Sequence, residues 1–174
     1  MAGYPKFRIR FGWLALMALA AQLVVIYADF GDAAVVRRFM FPSTYVLLLA
    51  FVILNRWRIG LLVIGAGMLL NLLAIVSNGG LMPVTPANAE KAEMGYKIEG
   101  VELGEAIPRS KNVLLEESDT HLRWLSDRFT WISDSPLAVF SVGDIVIAAG
   151  LTVVLLELLL PALQRNSRNR TSAT

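Results

Sequence analysis

The stretch IGLLVIGAGMLLNLLAIVSNGGLMPV, residues 59–84, decides how this chain folds. Its first part, Ile59 to Ser77, carries no charge and a single amide side chain, Asn71. Nineteen residues in a helix rise about 28 Å, close to the roughly 30 Å hydrocarbon thickness of a bilayer. Apolar residues run on without alternating, and a backbone in lipid must satisfy its own hydrogen bonds, so the segment predicts a transmembrane helix and not a strand. It ends in Asn78-Gly79-Gly80, residues that tolerate the left-handed conformation closing a helix. Pro83 then stiffens the exit.

Working outward, three more apolar runs appear: 11–28, 39–54 and 137–163. Hydrophobic residues make up 56% of the 174 and charged residues 17%. With a mean hydropathy of +0.58, the chain is too apolar and too unevenly apolar for an ordinary soluble domain. The expected fold is all-α: one membrane domain of four transmembrane helices at about 11–28, 39–54, 59–77 and 137–163. The second run is short and needs Phe41, Pro42, Tyr45 and Trp57 near the interfaces. Reading the start as a cleaved signal peptide would leave three spans, but the apolar stretch is long for that and no clear A-x-A site follows.

Orientation follows from the short flanks. Lys6, Arg8 and Arg10 precede the first run, Arg56 and Arg58 lie between the second and third, and Arg165, Arg168 and Arg170 follow the fourth. By the positive-inside rule this side, with both termini, is cytoplasmic. Asp29 to Arg38 and the long loop 78–136 then face outward. That long loop has ten acidic and six basic residues, a net charge of −4. Its first half, 85–109, predicts an irregular excursion with a helical turn near Ala89 to Met94. Leu122, Leu125, Phe129 and Ile132 predict an amphipathic helix within Asn112 to Ile132, with Trp124 and Trp131 at the headgroup level. The end 166–174 reads as a disordered basic tail.

Chemistry is sparse. No cysteine is present, which excludes disulfides, thiolate metal sites and cysteine nucleophiles. His121, the only histidine, lies outside the apolar runs, so no span offers an imidazole to haem, and no cofactor or metal is expected. The cluster Glu116, Glu117, Asp119, His121 and Asp127 matches no metal-ligand spacing and reads as a solvated acidic face. GxSxG, HExxH and Walker loops are absent, and the dispersed basic residues argue against nucleic acid. Asp144 enters the fourth run in Ser141-Val142-Gly143-Asp144. It serves either as a helix-start acid with Ser141 or as an interior partner of Asn71, Asn78, Arg123 or Arg128. Glu157, thirteen residues on, is expected to snorkel to cytoplasmic water. The glycines at 60, 65, 67, 143 and 150 offer close helix packing.

The Asn78-Gly79-Gly80-Leu81-Met82-Pro83-Val84 turn, then Thr120, Leu122, Leu125 and Asp127, then Ser141 to Asp144, together resemble a family of bacterial multi-pass membrane proteins of unknown function. Order and spacing agree over roughly residues 45–155, with Val142 in place of Ile, Asn112 in place of a histidine and His121 in place of an arginine. The resemblance implies that the Asn-Gly-Gly turn, Asp127 and the Ser-Val-Gly-Asp turn form one constellation on the external face. It implies no reaction.

The candidate polar cluster is therefore Asn78, Gly79, Gly80, Met82, Pro83, Asp127, Ser141, Gly143 and Asp144, with Asn71, His121, Arg123 and Arg128 around it. The residues favour a non-enzymatic membrane protein: an accessory or assembly subunit, or a binder of a lipid-like ligand at the outer face. Its expected partners are membrane lipids and other subunits or further copies of itself. A small transporter or channel subunit using Asp144 and Asn71 is the alternative. A lipid-modifying enzyme would need Asp144, Asp127 and His121 to converge.

Overall fold

The computed structural model describes residues 9–27, 33–92, 94–130 and 139–171, with the side chains of 33 and 161–171 left aside. Trp131, Ile132, Lys6, Arg8 and the 28–32 part of the first outer loop lie outside the described residues. The chain is mostly helical: α1 (Gly12–Tyr27), α2 (Ala33–Leu54), α3 (Ile59–Ser77), α4 (Pro86–Lys91), α5 (Gly95–Ile98) and α6 (Val142–Thr171). Short strands β1 (Met82–Val84), β2 (Asn112–Leu114), β3 (Phe129–Thr130) and β4 (Val139–Phe140) complete it. Among the described residues three helices are long and apolar enough to cross a membrane: 34–54, 59–77 and 142–160. With 16 residues, α1 is a shorter apolar helix, so the structure establishes three candidate spans where the sequence suggested four.

The helix α3 is the axis of the bundle, with α6 packed antiparallel along one side and α2 against another. Glycines make that close approach possible. A Cβ on Gly60 would lie 2.5 Å from Val154 Cγ2, and one on Gly67 would lie 2.6 Å from the Gly143 carbonyl. Gly65 accommodates Val52 of α2 in the same way. Phe51, Val52, Leu61 and Ile64 form the core at one end, while Val25, Phe41, Tyr45, Ala74, Ile75 and Met82 form it at the other. At the first end Asn55 stitches α1 to α2, accepting from the Arg10 N–H at 2.8 Å and donating to the Arg10 carbonyl at 2.9 Å. The start of α1, the α2–α3 turn and the later part of α6 therefore share one end of the bundle.

The opposite end carries a cap built from the described residues 79–92, 94–130 and 139–140. Parallel strands need a crossover, and β1 and β2 obtain one from α4 and α5. Val84, Ala89, Ile107 and Leu114 give the cap its own small core. Asp127 N–H bonds the Pro83 carbonyl at 3.1 Å, and β3 pairs antiparallel with β4. Two arginines of α2 fasten the cap. Arg37 is buried and donates to the carbonyls of Ile107 at 2.9 Å and Ser110 at 3.2 Å. Arg38 donates to the carbonyls of Gly79 at 3.2 Å and Gly104 at 2.8 Å.

Four expectations change. Helix α2 begins at Ala33, so Arg37 and Arg38 are helical and not in a loop. The amphipathic helix within Asn112 to Ile132 is instead strand β2, a 3-10 turn at Arg123–Leu125 and strand β3. Leu122 is left-handed, with φ 51°, which stops any continuous helix through it, and Asp127 is pulled into the interior by long-range partners. The fourth helix starts at Val142 because Val139 and Phe140 pair as a strand, and it runs on to Thr171 through the segment expected to be disordered. Residues 85–109 hold two short helices, one of them near the expected turn.

Candidate functional site

Ser141 and Asp144 open α6 as a reciprocal capping pair. The Asp144 N–H donates to Ser141 Oγ at 3.1 Å, and the Ser141 N–H donates back to Asp144 Oδ2 at 2.9 Å. This satisfies two of the amide groups that a helix start leaves without partners, with Asp in the place Glu or Gln usually takes. The same carboxylate also reaches across the bundle. Asn71 Nδ2 of α3 donates to Asp144 Oδ1 at 2.8 Å. The hydroxyl of Ser141 has one proton, placed between Asn71 Oδ1 at 2.7 Å and Asp144 Oδ2 at 2.9 Å. Helix-start acid and interior partner are thus one role. Gly143 makes it possible, since a Cβ there would overlap the Asn71 amide.

The cap supplies the cation. Lys111 Nζ lies 2.8 Å from Asp127 Oδ2 and 3.8 Å from Asp144 Oδ2. Asp127, its side chain wholly buried, also accepts from Asn112 Nδ2 at 2.7 Å. Asn112 Nδ2 reaches the Met82 carbonyl at 3.3 Å, so β1 is held to the cluster through its backbone. Tyr45 of α2 is buried beside Asn71, within electrostatic reach of Lys111 and both carboxylates. Burial pulls the Lys111 ammonium down, but the Asp127 and Asp144 carboxylates more than offset it, and the net shift is upward from 10.5. For Asp127 burial raises the pKa above 3.8, while Lys111 and Asn112 oppose that rise and Asp144 adds to it. The arrangement is a mixed-charge joint where α2, α3, α6 and the cap meet.

The turn at Asn78 lies on the same end but makes separate contacts. Asn78 Nδ2 donates to the His121 carbonyl at 2.8 Å and Oδ1 accepts the His121 N–H at 2.9 Å. The segment around Thr120 to Asp127 is thereby folded over the end of α3. His121 takes part through its backbone, and its side chain is exposed. Gly79 and Gly80 have φ of 73° and 91°. The Gly80 N–H closes α3 onto the Ile75 carbonyl at 2.8 Å, in the manner of a Schellman stop. Gly80 abuts the Arg38 carbonyl, where any side chain would collide; Pro42, four residues on, deprives that carbonyl of its helical donor.

Arg123 and Arg128, considered as partners of Asp144, point elsewhere: Arg123 pairs with Glu117 at 3.4 Å, and both guanidiniums lie 5.1 Å from the Trp124 ring centre. Lys111 takes the place proposed for them. Nothing local in the sequence marks it, because its partners are 16 and 33 residues away; the only clue is that buried carboxylates need a cation. Glu157 does not reach out to water either. Its Oε1 accepts from the N–H groups of Ile59 at 3.0 Å and Gly60 at 3.4 Å, capping α3. Among the described residues no group of three or more His, Asp or Glu side chains is arranged to hold a metal.

Three helices of membrane-crossing length, joined at one end by a polar cluster under a small cap, give this chain an architecture compatible with a helical membrane protein. It belongs to DUF5317, a family of unknown function whose model matches residues 6–156. That span contains every residue of the cluster. No curated protein and no solved structure matches the chain.

Proposed function

We propose that this chain is a non-enzymatic protein of a bacterial plasma membrane that crosses it four times, α1 included, with both termini cytoplasmic and the cap outside. On this reading it holds a lipid-like ligand at the outer face, as an accessory or assembly subunit of a larger membrane complex. The observation that carries the reading is the engagement of the cluster. Asp144, Asp127, Lys111, Asn71 and Ser141 bond one another across the joint between cap and bundle. A catalytic reading would need those groups turned toward a substrate, with His121 among them. The basic residues Arg10, Arg56 and Arg58 at the end away from the cap support the orientation.

Reporter fusions test the topology: cytoplasm-dependent reporters are active after Arg58 and Thr174, and exterior-dependent reporters at Gly100. An exterior signal after Arg58 overturns it. For function, the full chain is purified in mild detergent and its co-purifying lipids and proteins are identified by native mass spectrometry. Retention of a lipid or membrane-protein partner is expected, with loss on Lys111→Met. Turnover of a lipid by the pure protein, abolished by Asp144→Asn at unchanged thermal stability, would establish an enzyme instead.

A further inference from the structure

Beside the joint, and sharing no residue with its cluster, the cap holds an open cleft of about 380 Å3 lined by Thr85, Asn88, Lys91, Thr120, Ser126 and the charged trio Glu117, Arg123 and Arg128. Three of the long loop's six basic residues gather there, although that loop is acidic overall. Clustered cations in a concave site focus a positive potential well beyond what scattered surface charges give. Among the described residues the Arg128 side chain makes only ring contacts and Lys91 no ion pair. Thr85 Oγ1 accepts from the Asn88 N–H at 3.3 Å, which leaves its proton free to donate. The one anion of the lining, Glu117, is held among the described residues only by Arg123, in an exposed pair at 3.4 Å, an interaction a stronger anion can displace.

An apolar shelf adjoins these donors. Trp124, 63% exposed, has the Arg123 and Arg128 guanidiniums each 5.1 Å from its ring centre, and the exposed Phe129 ring lies 5.8 Å from the same Arg128 guanidinium. Tryptophan flanked by arginines suits the boundary between headgroups and acyl chains. We propose that this cleft binds the phosphate of an anionic phospholipid headgroup, with Lys91, Arg123 and Arg128 on the phosphate and Trp124 against the glycerol and upper chain. Guanidinium forks match phosphate oxygens two at a time. Glu117 then acts as an internal competitor that offsets part of the positive charge of the empty cleft. The proposal rests on the reading of the protein as a holder of a lipid-like ligand and names the ligand's chemistry and its seat.

The test uses the full chain in neutral detergent, titrated with short-chain phosphatidylglycerol, phosphatidylcholine or inorganic phosphate and followed by native mass spectrometry and thermal shift. Phosphatidylglycerol is expected to bind, and Lys91→Gln with Arg128→Gln to weaken it by about tenfold or more, the size of a lost charge-assisted contact. Glu117→Gln is expected to tighten it by about threefold, a gain that a purely structural role does not produce. Lys97→Gln, outside the cleft, serves as the control and leaves binding unchanged. Equal binding of phosphatidylcholine, or binding of inorganic phosphate without phosphatidylglycerol, overturns the headgroup assignment. Phosphatidylglycerol binding indifferent to all three cleft substitutions overturns the cleft while sparing the lipid-holding function. Because the assay is blind to sidedness, failure of the topology leaves its result standing.

Discussion

Both ends of the α3–α6 pair are closed by a carboxylate of α6, and the two closures are built differently. At the cap end Asp144 takes hydrogen bonds from Asn71, the Ser141 amide and the Ser141 hydroxyl, with the Lys111 ammonium 3.8 Å away. At the far end Glu157 takes two backbone N–H groups of the α3 start, and its Oε2 is buried with no hydrogen-bond partner among the described residues. The first closure joins four separate parts of the chain and balances charge with charge. The second joins two and relies on the positive end of a helix. A helix start can neutralise a carboxylate locally, whereas holding a folded cap on a bundle takes a cation delivered by the cap itself.

Removing that cation is expected to have the largest effect. Lys111→Met leaves two carboxylates facing each other across the joint, and deleting one member of a buried pair costs about 3–5 kcal/mol. A side chain 27% exposed argues for the lower figure, about 3 kcal/mol, read as a loss of thermal stability in detergent. The double variant Lys111→Met, Asp127→Leu should recover part of that loss, since an apolar pair avoids the stranded charge. Additive losses would show that Lys111 and Asp127 are not coupled. The pH dependence follows from the same group. Its folded pKa is raised above 10.5, so its contribution is complete below that value and is lost as the pH climbs through the folded pKa. Wild-type stability should fall in strong alkali by an amount that Lys111→Met does not show.

The helix interface comes next. Gly143→Ala puts a methyl group onto the Asn71 amide and within 2.7 Å of the Gly67 carbonyl. Overpacking of this kind costs about 1–3 kcal/mol, and here it also pushes Asn71 off Asp144. Gly95→Ala, with nothing within 4 Å of the added carbon, should be neutral or slightly stabilising. Equal behaviour of the two alanines in a melting experiment would mean that α3 and α6 are not in close contact.

What the sequence revealed depends on the range of the forces involved. The bounds of α3 at Ile59 and Ser77 were legible because hydropathy, the Asn-Gly-Gly stop and the preceding Arg58 are local signals. Ser141 and Asp144 were legible as a helix start for the same reason, and Asn71 as a polar residue alone in an apolar run. Lys111 and Tyr45 were not, since each owes its place to partners far along the chain. The leucines at 122 and 125 suggested a helix by spacing, yet Leu125 packs against the buried end of the bundle while Leu122 is exposed. Periodicity describes an element that exists; it does not make a segment helical when its carboxylate is drawn inward by Lys111 and Asn112.

The smallest effects, and the ones that sharpen the contrast between the two ends, come from neutralising each α6 carboxylate in place. Asp144→Asn keeps the shape but turns one acceptor into a donor, which then faces either the Asn71 amide or the two Ser141 donors. Losing charge-assisted bonds costs about 1.5–3 kcal/mol, and with Asp144 34% exposed the low end, about 1.5 kcal/mol, is expected. Glu157→Gln keeps an oxygen for the Ile59 and Gly60 amides and puts its NH2 where Oε2 has no partner. Its loss is confined to the attraction between charge and helix start, about 0.3–1 kcal/mol, reduced by removal of a poorly solvated oxygen. Asp144→Asn should therefore lower the detergent melting temperature more than Glu157→Gln and should weaken partner or lipid retention, which Glu157→Gln leaves intact. Equal effects on both readouts would mean that the cap-end cluster has no part in holding the cap, and that both carboxylates serve only to pin α6 to α3.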